Sequence, residues 1–369
     1  MRRRAQSGRF GLVFLGWLAV AALPALADDV SPRAEPIVRV QLVETESVVR
    51  VSHGGGSVTV KPARGGILVG GKRVGDVWRP ARPAAFGGFG VDGRRVRGRL
   101  EVRRTAGGIS VVNRVDLEDY VAGTLGREVY QSWHPETLKA QAVVTRTYAL
   151  YEMTRNATRG FDVGAGTGSQ VYGGLDAEAP SVLKAARATR GEYLAYRSAP
   201  ILAVFHSASG GRTAASDEVW GESLPYLVSV EVANEEDSPD TYWRASVSGT
   251  TLGRALAPVG VKVGAVKEFR VIERSASGRA ARLQVRGKKG SAVIEARALR
   301  TALGASVIRS TLFEIKPSED GFIIVGSGHG HGVGMSQWGA QAMAQGGSRY
   351  RKILATFYPG TRVMEGFGR

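Results

Sequence analysis

The apolar positions of the chain change their period several times, and the changes divide it into segments. Between residues 37 and 112 they come as short β-branched runs: Ile37–Val43, Ser57–Val60, Gly66–Val69, and a pair at Val96–Val102 and Gly108–Val112. Glycine-rich turns such as Gly54-Gly55-Gly56 separate them, so this stretch predicts short strands. From Asp116, a plausible N-cap, the pattern turns helical. A longer helix is predicted to start with Pro135 at its first position and to run to about Arg155. Leu138, Ala142, Thr145, Ala149 and Met153 recur in it three or four apart, which predicts a single core-facing stripe. Lys139, Arg146 and Tyr148 fall off that stripe, where they can face a cleft.

Beyond this helix the pattern predicts a second one over 180–190, stopped by Gly191, and two strands at 193–196 and 201–205. Strands follow near 268–274, 281–286 and 322–325, with a short helix near 294–303. A glycine-rich run, Gly326–Gly334, precedes helices from Ser336 to Gln345 and from Ser348 to Tyr358, where Pro359 ends the last. The fold class expected is α+β, mixed and elongated. A β-rich part (residues 28–110) leads into a domain over residues 111–369, with no linker composition marking the join.

Residues 1–27 read as an address. Arg2, Arg3, Arg4 and Arg9 precede an apolar run from Gly11 to Leu23, and Ala25-Leu26-Ala27 offers a signal-peptidase box. An uncleaved anchor needs roughly 20 apolar residues, and Pro24 interrupts this shorter run. A secretory signal peptide is therefore expected, with the mature chain in the periplasm or cell wall. Cleavage removes four arginines and lowers the net charge from +17 to +13. Outside the cytoplasm such a charge meets lipid head groups, wall polymers and peptidoglycan carboxylates rather than nucleic acid, or serves solubility alone. The chain has no cysteine, which excludes disulfides, zinc ribbons and thiol catalysis.

Three segments carry candidate chemistry. Glu128 lies in Gly126–Trp133, read as a loop feeding the long helix, beside Val129, Tyr130 and Trp133. Partial desolvation there raises a carboxyl pKa and keeps a general acid protonated; the alternative is an exposed glutamate paired with Arg127. His206-Ser207-Ala208-Ser209-Gly210-Gly211 superficially offers a His/Ser pair, but Gly-Xaa-Ser-Xaa-Gly is absent. It reads as a loop gripping hydroxyls or as a serine-capped turn. His329 and His331 share a face if extended, yet no third ligand and no His-Glu-Xaa-Xaa-His is present, so neither metal nor cofactor is expected. The glycines around them permit sharp turns or close approach to a ligand.

The order of these blocks is more specific than any one of them. Val112–Val121 precedes Glu128; Ser132–Val143 continues into Arg146–Leu150; then come Phe205-His206-Ser207 through Gly211, Val219-Trp220, Pro225–Leu227 and Leu299–Gly304. Gly330-His331-Gly332-Val333-Gly334-Met335-Ser336-Gln337-Trp338 and Tyr358-Pro359-Gly360 close the series. Over roughly residues 96–365 the chain resembles the SpoIID/LytB (stage II sporulation protein D) family. The resemblance implies a lytic transglycosylase acting on peptidoglycan glycan strands without stem peptides, with Glu128 as the catalytic acid. Arg146, Tyr148, His206, Ser207, Ser209, His331 and Gln337 are the candidates for lining its groove. Arg127 and His329 depart from the family's usual types, which touches substrate fit. Zinc, held by histidines and cysteines in some members, is not carried over to a chain without cysteine. Other relatives look like modifiers that stimulate an N-acetylmuramoyl-L-alanine amidase, so a non-catalytic glycan-binding role is the rival, and a serine hydrolase using Ser207 or Ser209 a third reading.

Overall fold

A computed structural model describes residues 34–53, 56–81 and 88–366. The expected signal peptide and Gly54-Gly55 of the first turn lie outside the described residues. The fold is mixed α+β, and among the described residues no helix precedes Leu117. None is long and apolar enough to cross a membrane.

Two sheets make up the N-terminal part, antiparallel except where Val163–Gly164 joins Ile37–Thr45 in parallel. A six-stranded sheet runs in the order Lys72–Val74, Gly66–Val69, Gly56–Ala63, Val49–His53, Phe89–Val91, Arg94–Val96. A five-stranded sheet runs Val163–Gly164, Ile37–Thr45, Gly108–Asp116, Arg99–Thr105, Val77–Trp78. In the second, alternation sends Val38, Val40, Leu100, Val102, Val111 and Val115 into the core. Strand Gly108–Asp116 runs through the join expected near residue 110 and pairs along its length with Ile37–Thr45, so the sheet is continuous across it. The strand expected at Val96–Val102 is two strands, broken at Arg97-Gly98. Gly98 sits at φ +79°, and a Cβ there would meet the Arg114 carbonyl at 2.2 Å.

Helix α1 (Leu117–Glu128) follows directly. Asp116 holds the N-cap position but makes no side-chain cap bond; Glu35 caps instead, accepting from the Glu118 N–H at 2.7 Å. Helix α2 (Pro135–Arg155) has Pro135 in its first turn, and His134 Nδ1 accepts from the Glu136 N–H. The single stripe expected of α2 is not what is found. Residues from Thr137 to Leu150 are buried on nearly every face, because the helix touches three cores at once. Ala149 and Leu150 pack toward the N-terminal sheets, Ala140, Val143 and Val144 toward the C-terminal helices, and Leu138 and Ala142 toward α1 and α3 (Pro180–Ala188).

After α3, Tyr193–Tyr196 pairs with Ala199–Pro200 in a tight hairpin whose Arg197 and Ser198 both have positive φ. Of the strand expected at 201–205 only Phe205 is paired, in a two-residue strand Phe205–His206 parallel to Met335–Ser336. A five-residue helix, α4 (Ser216–Trp220), comes next. A separate core then builds on two three-stranded sheets, helix α5 (Gly249–Leu256) and helix α6 (Ala296–Leu303). Strands Val266–Arg274, Ala280–Gly287 and Gly321–Gly326 match expectation, whereas Trp243–Val247, Gly290–Glu295 and Phe313–Ser318 were not anticipated. Helices α7 (Gln337–Gln345), capped by Ser336, and α8 (Tyr350–Phe357) close the chain.

Candidate functional site

Glu128 is the last residue of α1 rather than part of a loop. Tyr120, Val121 and Leu125 bury the helix, and Gly126 lets its end press against the Ala177 carbonyl, which a Cβ would meet at 2.0 Å. The side chain is half-buried, with Oε1 accepting from the Val171 N–H at 2.5 Å. Burial raises the pKa of Glu128, and the Val171 bond opposes this only in part. A helix C-terminus, with its partial negative charge, also disfavours a carboxylate. Both effects favour the protonated form over that of an exposed glutamate.

Two hollows meet at Glu128 and share Ser207, His329 and Gln337. Tyr130, Trp133 and Trp338 line the first, with ring centroids 4.9 Å apart for the two tryptophans and 5.3 Å for Tyr130 and Trp133. Tyr130 is 58% exposed, so this cluster offers open aromatic faces. Asp240 and Arg309 stand on the same side, ion-paired with each other, and Asp240 Oδ2 lies 3.0 Å from His329 Nδ1. The second hollow is lined by Tyr148, Ser169, Trp220, Arg300, His206 and His331.

Backbone groups fix both imidazoles, His206 buried and His331 half-buried. His206 Nδ1 lies 3.1 Å from the Val333 carbonyl, which can only accept, so the proton sits on Nδ1. Nε2 is then an acceptor, and it is buried without a partner. His331 Nδ1 accepts from the Val333 N–H at 3.0 Å, which puts its proton on the other nitrogen. Burial pushes the His331 pKa down to about 4 and His206 well below the usual histidine range. Both rings are neutral near pH 7. The glycines of this run let backbone approach protein rather than a ligand: a Cβ on Gly330 would lie 2.6 Å from His206 Cβ, and one on Gly334 2.1 Å from the Val204 carbonyl. Gln337 Nε2 donates to the Glu128 carbonyl at 3.0 Å and to Gln141 at 3.2 Å, tying α7 to the end of α1 and to α2.

Of the residues expected to line a groove, Tyr148, His206, Ser207, His331 and Gln337 surround Glu128. Arg146 and Ser209 do not. Arg146 is fully buried in a bidentate pair with Glu118 and donates to the Glu192 carbonyl at 2.9 Å, so it knits α1, α2 and the turn after α3. Ser209 is equally buried, its hydroxyl donating to Glu235 at 2.5 Å; that carboxylate also accepts from the Ser209 and Gly211 N–H groups and from Ser336. The Ser209 loop is a structural knot around Glu235. Sequence reading missed Trp338, Asp240, Arg300 and Arg309. Trp338 and Arg300 had a signal, lying inside blocks that carry the resemblance, but Asp240 and Arg309 become neighbours only through folding.

A half-buried acid thus stands at the junction of an aromatic hollow and a polar one on a mixed α+β scaffold. The family model described as Stage II sporulation protein matches residues 105–196, and one described as a domain of unknown function (DUF8618) matches residues 215–334. An uncharacterized protein of Brachyspira hyodysenteriae is 35% identical over 281 residues, 75% of this chain and 74% of that protein. Stage II sporulation protein D of Bacillus subtilis is 30% identical over 282 residues, 72% of this chain and 79% of that one. The amidase enhancer of B. subtilis is 30% identical over 296 residues, 65% of this chain but 40% of the longer relative. The chain belongs to the stage II sporulation protein D family.

Proposed function

We propose that this protein is a lytic transglycosylase of the cell envelope that cleaves peptidoglycan glycan strands, preferring those stripped of stem peptides. The observation that carries the reading is Glu128, a carboxyl whose pKa burial raises, at a helix end where two hollows meet. Neutral Glu128 protonates the glycosidic oxygen after an N-acetylmuramic acid unit, and the C1–O bond breaks. The resulting carboxylate takes the proton of the sugar's own C6 hydroxyl as that oxygen closes on C1, giving a 1,6-anhydro end. Water is not the nucleophile, so one carboxylate suffices. Asp240, the other acid lining the cleft, is committed to Arg309 and His329. Trp133, Trp338 and Tyr130 supply stacking faces for sugar rings, while Tyr148, Ser207, His331, Gln337 and the unpartnered Nε2 of His206 meet hydroxyl or acetamido groups. Stripped strands carry one free lactyl carboxylate per muramic acid, which suits the basic chain.

Glu128→Gln should lower the rate on stripped strands by about 10²–10⁴-fold, read as loss of anhydro-muramyl products by mass spectrometry. Undiminished cleavage by this variant overturns the assignment. The relative named amidase enhancer favours a second reading, a glycan-binding partner of an amidase. Intact strands that stay bound to the wild-type chain, with faster release of stem peptides by an added N-acetylmuramoyl-L-alanine amidase, would select it.

A further inference from the structure

The outer face of the five-stranded N-terminal sheet carries a second concentration of charge, sharing no lining residue with the Glu128 cleft. Its register sets Arg39 opposite Arg114 and Arg114 opposite Arg99, three arginines in one row across three strands. Side chains directly opposite stand about 5 Å apart at Cβ, and like charges there cost stability. Arg39 is relieved by Asp162, to which it donates from Nε at 3.0 Å, and by the Asn156 and Arg159 carbonyls. Arg114 and Arg99 have no ion-pair partner among the described residues. In the next row Glu101, only 3% exposed, pairs with Arg79 at 2.7 Å and with Arg103. It fixes those two arginines at the rim of a hollow lined by Arg79, Arg99, Arg103 and Arg114, four cations against one anion. A fold that sets uncompensated guanidinium groups side by side leaves room for an oxyanion, which arginine grips through paired N–H bonds.

We infer that this hollow is a second binding site, for the carboxylates of a stripped glycan strand, and that it holds the polymer independently of cleavage. The choice of carboxylate rests on the substrate proposed above; the site itself rests on the arginine row. Two double variants test it, each made in the Glu128→Gln chain so that strands stay whole. Arg99→Gln with Arg114→Gln removes two charges from the hollow. Arg282→Gln with Arg286→Gln removes two exposed, glutamate-paired arginines from another sheet. Retention on immobilised stripped strands should weaken by roughly tenfold or more in the first and by less than about twofold in the second, given what a charged hydrogen bond contributes. Equal losses would reduce the effect to net charge, and no loss in the first would remove the site. Polyphosphate and uncharged chitin oligomers form the other arms; arginine-dependent retention on polyphosphate but not on stripped glycan overturns the carboxylate. On the unaltered chain, stripped strands should shield Arg99 and Arg114 from an arginine-selective dicarbonyl reagent, read by peptide mass, and unshielded labelling counts against the site even if the variants misfold. If the chain does not cleave glycan at all, strands stay whole with wild type too, and retention still reads the arginine site alone.

Discussion

Glu128 shows how one residue's environment, rather than its identity, sets its chemistry. Because its native pKa is raised, the folded state holds the proton more tightly than the unfolded chain does. Ionisation therefore weakens the fold as pH climbs past the ordinary value of 4.5. Glutamine removes that penalty and can keep the Val171 N–H bonded, so Glu128→Gln should unfold at the same or a higher temperature at pH 7, while activity collapses. A lower midpoint in calorimetry would mean the carboxylate stabilises the fold and is not held neutral. The same shift gives the pH–rate profile a direction. kcat/KM should fall on the alkaline side as the acid form is lost, and a rate that rises through that limb would contradict a general-acid role. The sequence supplied Val129, Tyr130 and Trp133 as neighbours, but the position at a helix end and the Val171 contact come from folding.

Among the elements, α2 is the one that the rest is built around. Its periodicity marked a stripe, yet burial extends around the helix, and Arg146, expected at a cleft, lies in the interior against Glu118. Removing one partner of such a pair strands a charge. Arg146→Ala should cost about 3–5 kcal/mol in urea unfolding, while Lys139→Ala, whose pair with Glu136 is partly exposed, should cost under about 1 kcal/mol. A near-neutral Arg146→Ala would return that residue to the groove. Helix α7 acts differently, presenting Trp338 beside Trp133 and anchoring through Gln337. Trp338→Ala should weaken glycan binding by roughly tenfold, measured by calorimetric titration with the Glu128→Gln chain. Unchanged affinity would take the aromatic cluster out of the site.

At the scale of the whole molecule, the His206 and His331 imidazoles tie the C-terminal glycine run to acid stability. The His331 pKa is depressed from 6.5 to about 4, so the unfolded chain takes up the proton first and stability falls as pH drops through that window. The loss amounts to roughly 3 kcal/mol for His331 alone, with His206 adding in the same direction. Carboxylates held low by arginine, such as Glu101, act below 4.5, which separates the two contributions. Urea unfolding at pH 7 and pH 5 should show the decline in wild type and a flatter dependence in His331→Gln. Equal slopes in the two proteins would place the acid sensitivity elsewhere.

The sequence alone determined the fold class, the β-rich N-terminal part, the main helices and the order of blocks that marks the family, because periodicity and turn chemistry are local. It also named Glu128, Tyr148, His206, Ser207, His331 and Gln337, which folding gathers from four separate stretches. Only the tertiary structure separated these from Arg146 and Ser209, whose polar side chains read equally well as ligands until Glu118 and Glu235 are seen to consume them. It alone brought Asp240 and Arg309 to the cleft and aligned Arg114 with Arg99, since cross-strand register and long-range pairing depend on contacts that no stretch of sequence contains.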